Sequence, residues 1–271
     1  MEYQTRVSNI DFVLPEVWEG PAAELHLNDL TAAKTPFGQK ILSGITSMIL
    51  ASTPVIKDVG WGWPSSLTWE FRSPVFSDAQ LSVHWQSSDK HEDAHNLQAT
   101  VRSNGTQIVS SGEIRYGSLM DSDNETQVRN DGSYTFGRTL FDADVELFSW
   151  WMSKSGLEPL DGNPGDDVPW PLFVSLAGGM FARMAVTADT PADVVNRGMD
   201  WTFMRPLRVG ESLRGYLHEG AERASRSRPG WSVWQGQCDF FAEGQVETPV
   251  AIYQATAMFY RAQAQPGPHA L

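Results

Sequence analysis

The chain has 271 residues, of which 41% are hydrophobic and 11% aromatic, and it carries a formal net charge of -13 with a pI near 4.8. This acidity argues against nucleic acid and against an anionic membrane surface as partners, and the apolar content excludes wholesale disorder. The single cysteine, Cys238, excludes an intramolecular disulfide. With no secretory signal pattern and no run that could form a membrane helix, we expect a cytoplasmic protein.

The first half is predicted to contain one apolar helix and a meander of strands. A loop around Pro36 and Gly38 leads to Ser43 as predicted N-cap, and the apolar run that follows is predicted to end at Pro54. The free N–H groups at such a helix start suit an oxyanion or a thioester carbonyl; the alternative is an ordinary core helix with a serine cap. Alternating residues and an Asn104-Gly105 turn predict strands at 67–74, 80–87, 96–103 and 106–117.

An internal repeat is the strongest feature of the sequence. Trp69, Phe71, Pro74 and Leu81 recur, always 132 residues later, as Trp201, Phe203, Pro206 and Leu213. The same spacing aligns Ser43 with Ser175 and Met48 with Met180.

The rest of the second half follows the same plan. It is predicted to hold a helix at 172–186 and strands at 231–243 and 246–261. The polar segment 118–133 is predicted to be a linker, and residues 262–271 a disordered tail.

A helix wrapped by an antiparallel sheet, occurring twice, predicts an α+β double hotdog. We therefore expect an N-terminal hotdog over 1–117 and a C-terminal hotdog over 134–261, each with an antiparallel sheet wrapped around a central helix, and the two sheets joined edge to edge. A closed β-sandwich is the alternative.

Several segments resemble one enzyme family. Leu25–Asn28, Ala32–Gly38 and the Ile41 and Ser43-Gly44 positions resemble the MaoC-like hydratases, which are (R)-specific enoyl-CoA hydratases and dehydratases. Residues 136–148 are similar to the strand and helix that open a MaoC domain, and 206–213 is similar to that family's P-V-x-x-G-D-x-L turn.

The resemblance implies a hotdog fold and an acyl thioester ligand carried on CoA or an acyl carrier protein. In the family, an Asp and a His in a D-x-N-P-x-H pattern hold a catalytic water as acid and base. A backbone amide at the start of the central helix polarises the thioester carbonyl.

Neither half holds this pattern intact. In the first half His26 matches the histidine, but Pro21 and Ala23 stand in place of the Asp and the Asn, and Glu24 is the nearest carboxylate. In the second half Asp161 and Asn163 match, but Asp166 takes the place of the histidine.

The candidate residues follow from this comparison. Arg205 and Arg208 belong to a basic stretch that could receive the phosphates of CoA, the alternative being a solvated strand face. The predicted catalytic residues are His26, Asp161 and Glu24, and the predicted substrate-binding residues are Ser43, Gly44, Phe37, Asn163, Arg205 and Arg208.

Three functions are consistent with these residues. The first is hydration or dehydration of a 2-enoyl or 3-hydroxyacyl thioester. The second is a diverged tailoring enzyme, such as a thioesterase, isomerase or cyclase on a polyketide-like substrate, and the third is a non-catalytic acyl-binding or partner subunit. The sequence has no phosphate loop, dinucleotide fingerprint, metal-ligand cluster or G-x-S-x-G motif, so we expect no cofactor and no metal. The expected partner is an acyl-CoA or acyl carrier protein thioester, and a homodimer is possible.

Overall fold

A computed structural model describes most of the chain. It covers residues 1–20, 24–91, 94–119, 133–134, 137–154, 156–157, 167–185, 193–218, 220–245 and 248–260. Almost all of the predicted linker at 118–133 and all of the predicted tail at 262–271 lie outside these ranges.

Six α-helices and twelve strands lie in the described ranges. The helices are α1 (Asn9–Val13), α2 (Glu16–Glu19), α3 (Asp29–Ala32), α4 (Gly44–Val59), α5 (Asp142–Ser153) and α6 (Trp170–Ala185), with a 3-10 turn at Glu24–His26. The strands are β1 (Glu2–Arg6), β2 (Ser66–Phe71), β3 (Gln80–His91), β4 (Ala94–Ser103), β5 (Gln107–Tyr116), β6 (Ser133–Tyr134), β7 (Arg138–Thr139), β8 (Asp193–Phe203), β9 (Ser212–Leu217), β10 (Ala221–Ala224), β11 (Trp231–Ala242) and β12 (Ala251–Tyr260). None of the described helices has the length and apolar character needed to span a membrane.

The strands form one antiparallel sheet in the order β1-β3-β4-β5-β2-β8-β12-β11-β9-β6, with β10 beside β11 and β7 beside β9. The first half of the chain supplies β1 to β5 and the second half supplies the rest. The two halves meet where β2 pairs with β8. This is the edge-to-edge junction that the sequence predicts.

The register of the central strand pair, β2 with β8, reflects the internal repeat. Thr68 lies directly opposite Asp200, and these residues are 132 positions apart. On either side, Ser66 pairs with Thr202 and Glu70 with Gly198. A repeat unit that pairs with its own copy in this way has a pseudo-twofold axis through the Thr68–Asp200 pair. The 132-residue spacing predicted for the strands is therefore confirmed.

The central helices do not keep that spacing. Helices α4 and α6 are both 16 residues long, but they begin at Gly44 and Trp170, 126 residues apart. Ser43 consequently precedes its helix, whereas Ser175 lies inside α6. The two serines therefore do not occupy the same position relative to the start of a helix.

Helix α4 also runs past its predicted end. Pro54 lies inside the helix, which continues to Val59 and ends at Gly60 with φ 80°. An internal proline costs a helix about 3 kcal/mol. Every residue from Ile45 to Ile56 is buried, and burial of this apolar surface offsets that cost.

Two adjacent glycines let α6 approach the first half closely. A Cβ at Gly179 would overlap the backbone of Glu19, at the end of α2. A Cβ at Gly178 would overlap only the terminal methyl of Ile45, in the first turn of α4. The contact at Gly179 is therefore with backbone that cannot rotate away, and the contact at Gly178 is with a side chain that can.

We expect Gly179→Ala to lower the free energy of unfolding by about 2–3 kcal/mol, because the backbone of α2 must shift to admit the methyl group. The matched control is Gly178→Ala, which gains the same helix propensity and displaces only a flexible methyl group. Urea unfolding of both variants measures the difference. Equal stabilities for the two variants would contradict the packing described.

Candidate active site

A cavity lies beside the start of α4, between the two halves of the chain. About 160 Å³ of it is open to the centres of water-sized molecules, and a single water needs roughly 10–15 Å³. Four predicted site residues line it: His26, Phe37, Ser43 and Gly44. The structure therefore brings these four together.

His26 presents one ring nitrogen as a base. Its Nδ1 lies 2.7 Å from the carbonyl oxygen of Ile41. A carbonyl can only accept, so Nδ1 carries the proton and Nε2 holds the lone pair. Burial lowers the pKa of His26 more than the bond to Ile41 raises it. The imidazole is therefore neutral near pH 7 and can accept a proton through Nε2.

The first turn of α4 faces the same cavity. Ser43 occupies the predicted N-cap position, but its side chain makes no capping hydrogen bond. Gly44, Ile45 and Ser47 also line the cavity. The initial N–H groups of a 16-residue helix and the positive end of its dipole can stabilise negative charge on a carbonyl oxygen placed there.

Glu19 is the carboxyl group that sequence reasoning missed. It lines the cavity, and its Oε1 accepts hydrogen bonds from the Thr46 hydroxyl at 3.0 Å and the Ser175 hydroxyl at 3.3 Å. Burial nevertheless raises the pKa of Glu19, because desolvation of the charged form outweighs the hydroxyl groups of Ser43, Thr46 and Ser175, which lower it. A carboxyl group whose pKa is raised in this way is a candidate acid.

Glu16 lies one helical turn before Glu19 and also lines the cavity. Its pKa is raised to about 8 in total: burial is the largest cause, the charge of Glu19 acts in the same direction, and Arg183 acts against both. Its Oε2 is buried and accepts no hydrogen bond from the described residues. Glu16 is thus neutral over most of the physiological range.

We expect Glu16→Gln to change stability in a pH-dependent way. The pKa of Glu16 is raised in the folded state from 4.5 to about 8, so the parent protein loses stability as pH rises through that interval, where the folded state holds a proton that the unfolded state has released. The variant has no such loss, so its Tm should equal that of the parent near pH 5 and exceed it near pH 8.5. Thermal melts at both pH values test this, and an equal difference at the two values would contradict it.

No protein-family model matches the sequence, and no curated protein is significantly similar to it. Solved structures are similar over almost the whole chain. A MaoC domain protein from Chloroflexus aurantiacus, described as a dehydratase, is 11% identical, covers 97% of this chain and 95% of its own, and has a TM-score of 0.69. A Mycobacterium tuberculosis protein with a double hotdog fold is 10% identical over 96% of both chains, with a TM-score of 0.65.

The chain is a double hotdog. An acyl-ACP thioesterase from Bacteroides thetaiotaomicron is also similar, at 10% identity over 95% of this chain and 97% of its own, with a TM-score of 0.54. At such identities the likeness shows the fold, and the predicted α+β double hotdog is confirmed. The resemblance to MaoC-like proteins is confirmed at the level of the fold.

In the second half of the double hotdog, aromatic rings pack together at the start of α6. Phe203, the repeat counterpart of the cavity-lining Phe71, lies 5.5 Å from Trp63 between ring centroids, and Phe173 lies 4.9 Å from Trp63. The Trp63 indole N–H donates to the carbonyl oxygen of Val168, two residues before α6, at 2.8 Å. Aromatic side chains therefore lie at the start of α6, whereas the candidate site lies at the start of α4.

Three predicted site residues lie away from this cavity. Glu24 is exposed, and its Oε2 accepts a hydrogen bond from the Thr31 hydroxyl at 2.7 Å. Arg205 is held by Glu211 through contacts of 3.1 and 3.3 Å, and Arg208 is exposed. Glu24, Arg205 and Arg208 therefore do not line the cavity.

The remaining predicted site residues cannot be placed. Asp161 and Asn163 lie outside the described residues, as do Pro21 and Ala23. The roles assigned to Asp161 and Asn163 stay predictions.

The sequence does hold a signal for the missed carboxyl groups. Glu16 interrupts an otherwise apolar stretch from Phe12 to Trp18, and Glu19 follows that stretch directly, three residues after Glu16. On a helix, residues with that spacing share a face. A charged pair within an apolar segment indicates burial, and buried carboxyl groups with perturbed pKa values cluster at functional sites.

Proposed function

We propose that this double hotdog is a hydro-lyase that adds water to a 2-enoyl thioester, or removes it from a 3-hydroxyacyl thioester. The observation that carries the proposal is the shared cavity. It brings together a neutral imidazole with a free lone pair, a buried carboxyl group and an exposed helix start. General acid, general base and oxyanion stabilisation are the three elements that this reaction needs.

The proposed hydration starts at His26. Its Nε2 takes a proton from a water molecule, whose oxygen attacks C3 of the enoyl group. The electron pair of the double bond moves to the thioester oxygen, and the Gly44 N–H with the α4 dipole stabilises that charge. Glu19 then delivers a proton to C2, and the proton gained by His26 returns to Glu19 through solvent. One water is added and both residues are restored.

The apolar part of the cavity lining suits an acyl chain. It is formed by apolar and aromatic side chains of the second half, among them Phe181, Tyr253 and Met258. All three are largely buried. Burial of methylene groups against such a surface contributes about 0.8 kcal/mol for each group, so the second half would supply binding while the first supplies chemistry.

Mass analysis of the products distinguishes the possible reactions. The purified protein is incubated with a 2-enoyl-CoA and, separately, with the saturated acyl-CoA of the same length. Hydration adds the mass of one water to the intact enoyl thioester and leaves the saturated one unchanged. Release of free acid from both would replace the proposal with a thioesterase, and tight binding with no product would replace it with a non-catalytic acyl-binding subunit.

A further inference from the structure

Two arginines lie at the same end of the central strand pair, which β2 and β8 form. The pairing of β2 with β8 stops where Glu70 lies opposite Gly198. Arg72 follows Phe71, the last residue of β2, and Arg197 lies in β8 directly before Gly198. Both side chains line the cavity, and so does Arg228, from the turn before β11. The two halves of the double hotdog thus bring three cations to one cavity.

The pseudo-symmetry shows that these arginines are not required by the fold. At the 132-residue spacing, the counterpart of Arg72 is Met204 and that of Arg197 is Ser65. Met204 and Ser65 are buried, at 9% and 8% exposure. Met204 and Ser65 lie at the opposite end of the strand pair, where aromatic rings fill the space. Of these four positions, only the two that line the cavity carry a positive charge.

Little in the described structure neutralises these cations. The half-buried Arg197 and the exposed Arg228 form no side-chain ion pair or hydrogen bond with the described residues. Arg72 is 3.4 Å from Glu70, an exposed pair of the kind worth at most about 1 kcal/mol. The carboxyl groups that share the cavity, Glu16 and Glu19, are on α2 beside the start of α4. In a chain of net charge -13, this local excess of positive charge indicates an anionic ligand.

We propose that Arg72, Arg197 and Arg228 bind the phosphate groups of coenzyme A, whose thioester group reaches His26 in the same cavity. The acyl part rests on the proposed function, whereas the phosphate part rests on the arginines alone. A guanidinium group matches a phosphate through two parallel N–H donors. Three arginines fit the several phosphates of coenzyme A better than the single phosphodiester of a carrier-protein arm. Trp231, which also lines the cavity, offers a flat apolar surface for the nucleotide base.

Calorimetric binding of two ligands tests the proposal. One is a saturated acyl-CoA, and the other is the acyl-pantetheine with the same acyl group but no phosphate. We expect Arg197→Glu to weaken acyl-CoA binding by at least about tenfold, as loss of a charge-assisted phosphate contact does, and to leave acyl-pantetheine binding unchanged. Arg72→Ala should act in the same direction. The matched control is Arg102→Glu, an exposed charge reversal on β4 that lies away from the cavity.

The outcomes separate this proposal from the proposed reaction. A protein that binds acyl-CoA through these arginines but adds no water would refute the hydro-lyase assignment and uphold the phosphate site. Three results would overturn the site: equal weakening for both ligands, no change in either, or the same loss in the Arg102→Glu control. Binding of an acyl carrier protein thioester in the absence of any binding to acyl-CoA would also overturn it.

Discussion

Replacing His26 with alanine is expected to lower kcat/KM for hydration of a 2-enoyl thioester by about 10²–10⁴-fold, the usual contribution of a general base. The variant loses the Nε2 lone pair, and no other described cavity residue presents a neutral imidazole. Its free energy of unfolding should fall by only about 0.5–1.5 kcal/mol, because the one described hydrogen bond of His26 is to the Ile41 carbonyl. Product formation is followed by mass, and stability by thermal melting.

The control for that experiment is His84→Ala. His84 is exposed on β3 and does not line the cavity. The parent enzyme should also lose activity as pH falls through the His26 pKa, which burial holds below its ordinary value of 6.5. An active His26→Ala variant, or one with the same acidic limb as the parent, would exclude His26 as the base.

Glu19→Gln is expected to reduce turnover by about 10²-fold, because the amide has no proton to deliver to C2. The substitution is informative because it preserves shape: the amide oxygen can still accept from Thr46 and Ser175. Stability should therefore be retained, whereas alanine would leave both hydroxyls without their acceptor at a cost of about 1–3 kcal/mol. Single-turnover rates and urea unfolding of the glutamine variant measure the two effects separately.

A parallel Glu24→Gln variant decides between the two carboxylates of this segment. The sequence-based hypothesis that Glu24 partners His26 predicts loss of activity in Glu24→Gln. The structure, in which Glu24 is exposed and bonded to Thr31, predicts that the loss occurs in Glu19→Gln instead. Full activity in Glu19→Gln would remove Glu19 from the mechanism.

The fold was predictable from the sequence because the same pattern of strand residues occurs in both halves. Strand positions follow from alternation of buried and exposed residues, and the matched tryptophans Trp69 and Trp201 reveal the duplication that the Thr68–Asp200 pair confirms. Helix positions were harder, since apolar residues on every side of α4 and α6 leave no periodicity to set the register. The prediction that the helix ends at Pro54 failed for a different reason. Burial of α4 in the core outweighs the tendency of proline to end a helix.

The site was predictable only where its parts are close in sequence. His26, Phe37, Ser43 and Gly44 lie within one short segment, and local motifs are sufficient to find them. The burial of Glu19 depends on Ser175 and Gly179, which lie in the other half of the chain. In the same way, Arg72 and Arg197 come together only through the pairing of β2 with β8. The ion pair between Arg205 and Glu211 is likewise visible only in three dimensions.

The covalent joining of the two hotdogs has an evolutionary consequence. In a dimer of identical subunits every substitution appears twice, so a residue that favours catalysis at one centre is also imposed on its copy. Once the copies are fused, each can change independently. One was free to fill its own centre with aromatic rings while contributing Ser175, a glycine pair and Arg197 to its neighbour, and the neighbour could then depend on these contributions. The first hotdog expressed without the second should therefore lack a working centre, although it contains His26, Glu19 and the whole of α4.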